Sequence, residues 1–404
     1  MNRHCLISVF LPAYLLIQGS FESVLAQTPS PLTSDEVRAG VISEKLPAVS
    51  YTDVAWQQSI PHERRILLDE TFAKVFIASK ATGLSACVYS PNQGPWTGTL
   101  GVQDREAKAA IGADSRFHAG SIGKLVTSVL IQQLIEEGRF TRDTKLSHWL
   151  PEIKGSDKIT IEHLLSHTSG LPGNLVEENP TKHEPLLQRV VESAQAGLQF
   201  PPGRSFSYSN PGYMALGLIL EKEHGKPLAE IIDTQFIKKY GMAQSKGITR
   251  ENRNDDLIHS THQGRPGKDA IDYSSVGGTG SLASTPYDLA RMLNRLLAGQ
   301  MLKQETTQRM LSKMYPMQKQ GQLYWGQGLM VLDTPLGRMF YLAGRIKGFG
   351  AMAGYLPQED VFVSVMVNDD TQVEPVMFAL LKALQPRKQD KRLISDRRDI
   401  RRVA

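Results

Sequence analysis

Ser121 and Lys124 form the only Ser-x-x-Lys pattern in this 404-residue chain. Residues three apart share one face of a helix, so the serine hydroxyl and the lysine amine can approach each other. At a helix start, unpaired backbone N–H groups stabilise a forming oxyanion, and a lysine held away from water can lose its proton and act as a base. The pair predicts a nucleophilic serine with a lysine base. The structural alternative is a helix-capping serine beside a lysine that extends into solvent.

Tyr208 and Asn210 form the only Tyr-x-Asn pattern in the chain. Residues two apart in an extended segment point the same way, so the phenol and the carboxamide can face one site. If nearby cations lower its pKa, the phenol can relay a proton between a nucleophile and a leaving group. The amide can hold a substrate carbonyl. The structural alternative is a turn built on Asn210-Pro211-Gly212, with the tyrosine packed as an ordinary aromatic residue.

These side chains need elements that hold them in place. Apolar residues recur along one face of Ser121–Glu137 and Gly138 follows, which predicts a helix that begins at the serine. An amphipathic helix is predicted over Glu63–Ser79. Two paired strands are predicted after it, at Leu84–Tyr89 and Thr97–Gly101.

The rest of the chain divides into a helical middle and a strand-rich end. Thr141–Leu297 is predicted to be mostly helical with long loops, and a last helix is predicted over Val373–Leu384. Four short strands are predicted after Trp325, at Gly328–Leu332, Met339–Ala343, Ala351–Leu356 and Val361–Val367. Strands at both ends with helices between them predict an α+β (α/β two-lobe) fold. In this fold an antiparallel β-sheet, closed by the N- and C-terminal segments, is flanked by helices and carries an inserted, mostly helical lobe.

The charge and the cysteine count exclude several classes of protein. The 46 Lys and Arg residues and the 41 Asp and Glu residues give a net charge of +5. Residues 387–404 hold eight cations and three anions, also +5, so the remaining chain sums to zero. No nucleic-acid partner is therefore expected. Two cysteines, Cys5 and Cys87, are too few for a disulfide scaffold, and no histidine or acidic residues have metal-ligand spacing, so we expect no metal and no cofactor.

The chain ends predict export and a loose tail. A short cationic start, an apolar run from Cys5 to Ile17 and Val24-Leu25-Ala26 are typical of a secretory signal peptide (1–26) cleaved after Ala26; an uncleaved anchor is the alternative. The predicted order is then an arm (27–62), a catalytic domain (63–386) and a basic tail (387–404). We expect a periplasmic or secreted protein. The tail predicts weak contact with a membrane surface or a polyanion, and a solvated, disordered terminus is the alternative.

Two further segments contain specific-looking loops, Ile159–Pro172 and Gly277–Ala290. His167, in the first, is interpreted as a histidine that hydrogen-bonds its own turn in preference to a metal ligand or a base. The chain has no Gly-x-Ser-x-Gly pattern, which disfavours an α/β-hydrolase.

Taken together, these segments resemble the serine hydrolases that include class C β-lactamases, D-alanyl-D-alanine carboxypeptidases and esterases of the same fold. The resemblance runs from about Glu63 to Leu384. Its parts are Phe117–Lys124 for the nucleophile motif, Ile161–Pro172 for the "LLxHTSGLP" segment, Phe200–Gly203 with Tyr208–Asn210 for the second motif, and Gly277–Ala290 for the Gly-rich loop. The resemblance implies a β-lactamase/transpeptidase-like fold and an acyl-enzyme on Ser121. It also implies proton transfer shared by Lys124 and Tyr208, and substrate binding by Asn210.

The third motif of this family departs from the usual pattern. The family shows Lys-Thr-Gly or His-x-Gly shortly before a Gly-Phe pair, where this chain has Leu342-Ala343-Gly344. The resemblance implies that the Arg345 backbone N–H is the second oxyanion donor beside Gly344. Leu342 cannot replace the cation that holds a substrate carboxylate. Alternation along a strand turns the Arg345 side chain to the other face. The triplets at 262–264 and 319–321 match the pattern but do not precede the Gly-Phe pair, so we interpret both as decoys.

An exported serine hydrolase, esterase-like or peptidase-like on an ester or amide bond, is therefore the expected function. Its expected partner is a small-molecule ester, amide or peptidoglycan-like substrate. One alternative is a D-alanyl-D-alanine carboxypeptidase or a β-lactamase proper. The other is a penicillin- or peptidoglycan-binding module without turnover.

Overall fold

The computed structural model describes residues 34–103, 108–175, 185–248, 257–263, 265–266, 276–318 and 322–385. The predicted leader (1–26), the start of the predicted arm (27–33), the basic tail (387–404) and the triplet at 319–321 lie outside these ranges, as does Gly264 of the other decoy triplet. The domain boundaries proposed at the two chain ends stay predictions.

Strands occur near both ends of the described chain, and most of the helices lie between them. The helices are α1 (Ser34–Gly40), α2 (Asp53–Gln57), α3 (His62–Ser79), α4 (Gly123–Glu136), α5 (Ile161–Leu165), α6 (Leu186–Ala194), α7 (Asn210–His224), α8 (Leu228–Ile231), α9 (Pro286–Leu297), α10 (Gln304–Ser312) and α11 (Glu374–Ala383). The strands are β1 (Gly83–Ser90), β2 (Gly94–Gly101), β3 (Phe117–His118), β4 (Lys246–Gly247), β5 (Thr261–His262), β6 (Arg265–Pro266), β7 (Leu282–Ser284), β8 (Tyr315–Pro316), β9 (Leu323–Trp325), β10 (Met330–Thr334), β11 (Gly337–Ile346), β12 (Phe349–Leu356) and β13 (Val361–Val367).

An eight-stranded antiparallel sheet forms the frame, in the order β2-β1-β13-β12-β11-β10-β9-β8. The N-terminal strand β1 pairs with the C-terminal strand β13, with Leu84 opposite Val367. The predicted sheet, closed by both chain ends, is therefore confirmed. The inserted helices between β2 and β8 confirm the predicted two-part α+β architecture.

The sheet is covered by helices on both faces. Every residue of β1, β12 and β13 is buried, which requires packing partners on each side. Helix α9 packs against β1, β12 and β13, while α3 and α11 pack against each other and against β2 and β13, respectively. Cys87 lies on β1 with no exposed surface, as expected for a small core residue.

Helix α4 lies at the centre of the molecule. Every residue from Gly123 to Leu134 is buried, so polar residues on its outer side as well as the apolar stripe are enclosed. Their polar groups are satisfied: the Ser128 hydroxyl donates to the Gln327 carbonyl (2.5 Å), and the Gln132 amide donates to the Gln327 side chain (2.8 Å). This enclosure fixes the helix that carries Lys124.

The Gly-rich loop fills the space between α4 and α7. The Thr127 hydroxyl of α4 donates to the Gly278 carbonyl at 2.7 Å. A Cβ on Gly278 would lie 2.0 Å from the Tyr213 carbonyl oxygen of α7, so a side chain at that position would force the loop away. The run of small residues thus lets two helices that border the site pack closely.

The prediction missed several short strands. β3, β7 and β4 form a separate three-stranded sheet, and β8 and β9 extend the edge of the large one. Each has only two or three residues, too few to show the alternation that identifies a strand. Among the described residues, no helix combines the length and the apolar composition needed to cross a membrane.

Candidate active site

Ser121 lies in a tight turn that leads into α4. The turn Gly120–Ile122 is 3₁₀-helical, and α-helical geometry begins at Gly123, so the helix starts two residues later than predicted. The turn is held from its N-terminal side, because the His118 ring accepts a hydrogen bond from the Gly120 N–H at 2.9 Å. Gly120 has a φ of +55°, a conformation that favours glycine.

The turn touches strand β11 at Gly344 and Arg345. A Cβ on Gly344 would lie 2.0 Å from the Ala119 oxygen and 2.8 Å from the Ser121 nitrogen. In the other direction, a Cβ on Gly120 would lie 2.7 Å from the Arg345 nitrogen. The backbone nitrogens of Ser121 and Arg345 therefore both lie at this contact. Two such N–H groups are the donors that an oxyanion hole requires.

Lys124 is placed to take the proton of Ser121. Its amine lies 3.1 Å from the Ser121 Oγ, and the side chain has no exposed surface. Among the described residues no acidic group forms an ion pair with it, and burial lowers its pKa well below the usual lysine value. The amine also lies 4.8 Å from the Tyr208 ring centroid, which favours the charged form by about 0.5–2 kcal/mol. Removing an unpaired charge from water costs several kcal/mol, so burial dominates and favours the neutral amine.

Tyr208 is hydrogen-bonded to Ser121 and keeps its proton. Burial raises the pKa of the phenol, and the hydrogen bond to Ser121 lowers it by less. The condition set for a proton relay, a pKa lowered by nearby cations, is therefore not met, because burial outweighs the lowering influence. With a protonated phenol beside a neutral amine, the lysine can accept a proton and the tyrosine can donate one.

An aromatic cluster surrounds Tyr208. The rings of His167, Trp325 and Tyr213 pack together, with the His167 ring centroid 4.4 Å from that of Tyr208 and 4.6 Å from that of Trp325. The Trp325 ring meets the Tyr208 ring edge-on at 5.4 Å. The Trp325 Nε1 donates to the Leu165 carbonyl at 3.2 Å, so the cluster is anchored to the C-terminal end of α5.

The His167 side chain makes its hydrogen bond outside its own turn, contrary to the prediction, while its backbone N–H donates to the Leu164 carbonyl at 3.3 Å. Its Nδ1 accepts a hydrogen bond from the Ser209 N–H at 3.1 Å, 42 residues further along the chain. Burial lowers the pKa of the imidazole well below its usual value, and Lys124 lowers it further whenever the lysine is protonated. The ring is therefore neutral. No group of three or more His, Cys, Asp or Glu side chains in the described ranges could hold a metal ion.

Asn210 is held by a second asparagine that the sequence did not single out. The Asn210 Nδ2 donates to the Asn174 Oδ1 at 2.8 Å, and its backbone N–H donates to the Gly173 carbonyl at 2.8 Å. One hydrogen of the Asn210 NH₂ group remains for a substrate carbonyl. Asn174 lies two residues after the Ile159–Pro172 segment, and this position was the only signal that could have indicated it.

Neither Leu342 nor the Arg345 side chain replaces the third-motif cation that would hold a substrate carboxylate. Leu342 is 1% exposed and belongs to the hydrophobic core. The Arg345 guanidinium donates to the Asp370 carbonyl at 3.3 Å. The Asp370 carboxylate in turn contacts His262, the first residue of one decoy triplet, at 2.9 Å. The structure thus gathers Ser121, Lys124, Tyr208, Gly344 and the Arg345 backbone, and it engages the Arg345 charge elsewhere.

Comparisons with known proteins agree with this geometry. The family described as Beta-lactamase matches residues 68–384 of the chain. The penicillin-binding protein 4 of Amycolatopsis lactamdurans is 31% identical over 156 residues, which are 37% of this chain and 41% of that protein. The esterase EstB of Burkholderia gladioli is 28% identical over 203 residues, 46% of this chain and 52% of the esterase. These matches thus span about half or less of the curated relatives' length.

Solved structures share the fold over a longer stretch. The penicillin binding protein from Bacillus halodurans superposes with a TM-score of 0.67 at 25% identity, over 78% of this chain and 99% of that one. The D-amino acid amidase from Ochrobactrum anthropi SV3, complexed with L-phenylalanine, gives a TM-score of 0.69 at 21% identity, over 80% of this chain and 97% of the amidase. At that identity the amidase supports the fold alone.

Proposed function

Because the chain belongs to the beta-lactamase family of serine hydrolases, we propose that it hydrolyses an ester or amide through an acyl-enzyme on Ser121. One observation carries the proposal: a fully buried lysine without an ion-pair partner in the described part of the chain lies 3.1 Å from the Ser121 hydroxyl. Only a neutral amine there can accept a proton, and burial supplies that neutral amine.

The reaction follows from the positions of four groups. The Ser121 Oγ attacks the carbonyl carbon while its proton passes to the Lys124 amine. The carbonyl oxygen becomes an oxyanion held by the backbone N–H groups of Ser121 and Arg345. When the intermediate collapses, the bond to the leaving group breaks, the leaving group takes the Tyr208 proton, and the lysine ammonium returns a proton to the tyrosine. Water then attacks the acyl-enzyme by the same path in reverse.

An uncharged substrate fits this site better than a carboxylate. Leu342 stands where the resembling enzymes have a cation, and the Arg345 guanidinium is already bonded to Asp370. An anionic substrate would therefore lose water without gaining a charged partner. The match to esterase EstB supports the ester as the bond that is cleaved.

A D-alanyl-D-alanine carboxypeptidase is the second candidate. The D-alanyl-D-alanine-carboxypeptidase/endopeptidase AmpH of Escherichia coli K12 is 26% identical over 276 residues, which cover 70% of that protein. This candidate needs a carboxylate partner other than Leu342. A binding module without turnover is disfavoured, because the Ser121 hydroxyl is hydrogen-bonded to both the Lys124 amine and the Tyr208 phenol.

Export and the role of the tail are part of the same proposal. The leader features of residues 1–26 support a cleaved signal peptide and a periplasmic or secreted protein. The eight cations of residues 387–404 support weak contact with an anionic surface. N-terminal sequencing of the protein from cell fractions tests the first. A tail-deleted variant in a vesicle co-sedimentation assay tests the second.

The hydrolytic proposal is tested with the chain lacking residues 1–26. Turnover of nitrophenyl butyrate, a chromogenic cephalosporin and a D-alanyl-D-alanine peptide is measured for this protein and for Ser121→Ala. Ser312→Ala is the matched control, because Ser312 is an exposed serine on α10. We expect ester turnover that Ser121→Ala abolishes, with the cephalosporin and the peptide turned over far more slowly. Faster peptide than ester turnover would favour the second candidate. No turnover of any substrate would contradict the proposal.

A further inference from the structure

His167 binds the backbone on both sides of Tyr208. Its carbonyl oxygen accepts a hydrogen bond from the Ser207 N–H at 3.0 Å, and its Nδ1 accepts one from the Ser209 N–H at 3.1 Å. A single residue thus fixes the two peptide groups that flank the phenol. Two bonds at i−1 and i+1 leave the tyrosine backbone little freedom to rotate.

The backbone of His167 is itself held in an uncommon conformation. Its φ is +57°, in the left-handed region that few residues other than glycine, asparagine, aspartate and histidine adopt. The side chain has no exposed surface. A buried residue persists in such a conformation only when its surroundings determine it strongly. Here the left-handed conformation directs the imidazole towards Ser209 and the carbonyl towards Ser207.

The imidazole does not itself transfer protons in the described structure. Because Nδ1 accepts from the Ser209 N–H, a neutral ring carries its proton on Nε2, and this atom has no hydrogen-bond partner among the described residues. The ring face contacts the Tyr208 ring, with centroids 4.4 Å apart. The one polar contact of the side chain is therefore the bond to the segment that carries Tyr208.

We propose that His167 is a positioning residue that holds the Tyr208 hydroxyl on Ser121 by clamping the backbone on either side of the tyrosine. The inference rests on the proposed function, in which Tyr208 protonates the leaving group. It adds that the acid is placed by the Ile159–Pro172 segment and not by the α7 helix alone. A displacement of about 1 Å in a catalytic group costs on the order of 10²-fold in rate, so loss of the clamp should lower kcat more than it changes KM.

Three substitutions separate the clamp from ordinary packing. His167→Asn retains an acceptor at the position of Nδ1 and tolerates the left-handed conformation. His167→Leu keeps a similar volume without an acceptor, and His167→Gly keeps the backbone conformation without an acceptor. Each is made alone and combined with Tyr208→Phe, and kcat and KM for nitrophenyl butyrate are measured beside the melting temperature.

We expect His167→Asn to keep kcat within about threefold, while His167→Leu and His167→Gly lower kcat about 10²-fold with KM nearly unchanged. In the Tyr208→Phe background the same substitutions should lower kcat no further, because the residue they displace has lost its hydroxyl. If His167→Leu does not fold, the Gly variant supplies the same comparison.

Full additivity of the His167 and Tyr208 losses would overturn the inference, as would an unchanged kcat in the Leu and Gly variants. A loss in His167→Asn as large as that in His167→Leu would also overturn it, since the acceptor would then be irrelevant. If the unsubstituted protein itself turns over no ester, the proposed function fails and this inference fails with it. Turnover with additive losses contradicts the inference alone.

Discussion

The backbone of Gly344 lies so close to that of Ala119 that a Cβ on the glycine would be 2.0 Å from the Ala119 oxygen. This contact joins the central strand β11 to the turn that carries Ser121. The site therefore lies where the sheet and the helical lobe meet, and its geometry depends on the absence of a Cβ at Gly344.

Gly344→Ala should open this contact and separate the two oxyanion donors. Loss of one such donor costs about 10²–10³-fold in kcat, and we expect a loss of that size for nitrophenyl butyrate. Gly112→Ala is the control, because the nearest neighbour of its new Cβ is the free end of the Asp114 side chain at 2.7 Å, which can move. Native turnover by Gly344→Ala would show that the contact does not hold the oxyanion site together.

Activity should fall in acid as Lys124 gains a proton. Burial lowers the pKa of the lysine well below its usual value, so the amine becomes charged only as the pH falls through that lowered pKa. The acid limb of kcat/KM against pH reports this ionisation.

Lys124→Arg keeps a charge at every pH and should lose about 10²-fold or more of the activity throughout the profile. Lys74→Arg, at an exposed lysine on α3, is the control. A Lys124→Arg enzyme with native activity would rule out the lysine as the base.

Cys87 should be inert in the folded protein. The thiol is fully buried on β1, and burial raises its pKa, so neither access nor thiolate is available to a reagent. In the chain lacking residues 1–26, where it is the only cysteine, reaction with a chromogenic disulfide should occur at the rate of unfolding. Stoichiometric reaction within seconds under native conditions would contradict the burial of β1.

Asp288 should make the protein less stable as the pH rises from about 4 to 6. The carboxyl is 1% exposed in the first turn of α9. Burial raises its pKa to about 6, and hydrogen bonds from the Ser245 hydroxyl and the Gln244 N–H lower it by less. The unfolded chain loses this proton near pH 4, so the folded state binds more protons between the two values and its stability falls as the pH rises. The shift corresponds to on the order of 2–3 kcal/mol.

Asp288→Asn retains an acceptor for both hydrogen bonds and removes the ionisation. The variant should therefore show a flatter melting temperature between pH 4 and pH 6 than the unsubstituted protein. Asp157→Asn, at an exposed aspartate in the loop before α5, should leave the slope unchanged. An unchanged slope in Asp288→Asn would mean that other carboxyls determine the pH dependence.

The sequence could predict the helices and strands that are long enough to show a hydrophobic pattern. The strands that became β11, β12 and β13 and the stripe along α4 each extend over seven residues or more, and the structure contains all four. Strands of two or three residues, such as β3 and β4, carry no period and were missed.

The features of the site that the sequence did not predict are the burial of its side chains and the contacts between residues far apart in the chain. Spacing indicates that Lys124 can meet Ser121, and the family resemblance adds Tyr208. Neither shows how far the two side chains are buried, and burial raises the pKa of Tyr208. The contacts of His167 with Ser209 and of Asn174 with Asn210 join residues 42 and 36 positions apart. Sequence separations of this size lie outside any helical or strand periodicity, so a local pattern cannot predict these contacts.

The most direct test of the account is covalent labelling of Ser121. A nitrophenyl alkylphosphonate forms a stable bond to an activated serine and releases nitrophenol. Peptide mapping by mass spectrometry should then find one phosphonyl group, on Ser121, in the folded chain lacking residues 1–26. Labelling should be unaffected in Ser312→Ala and slowed about 10²-fold or more in Lys124→Arg. A label on a different residue, or labelling of Lys124→Arg at the native rate, would contradict a serine nucleophile activated by a buried lysine.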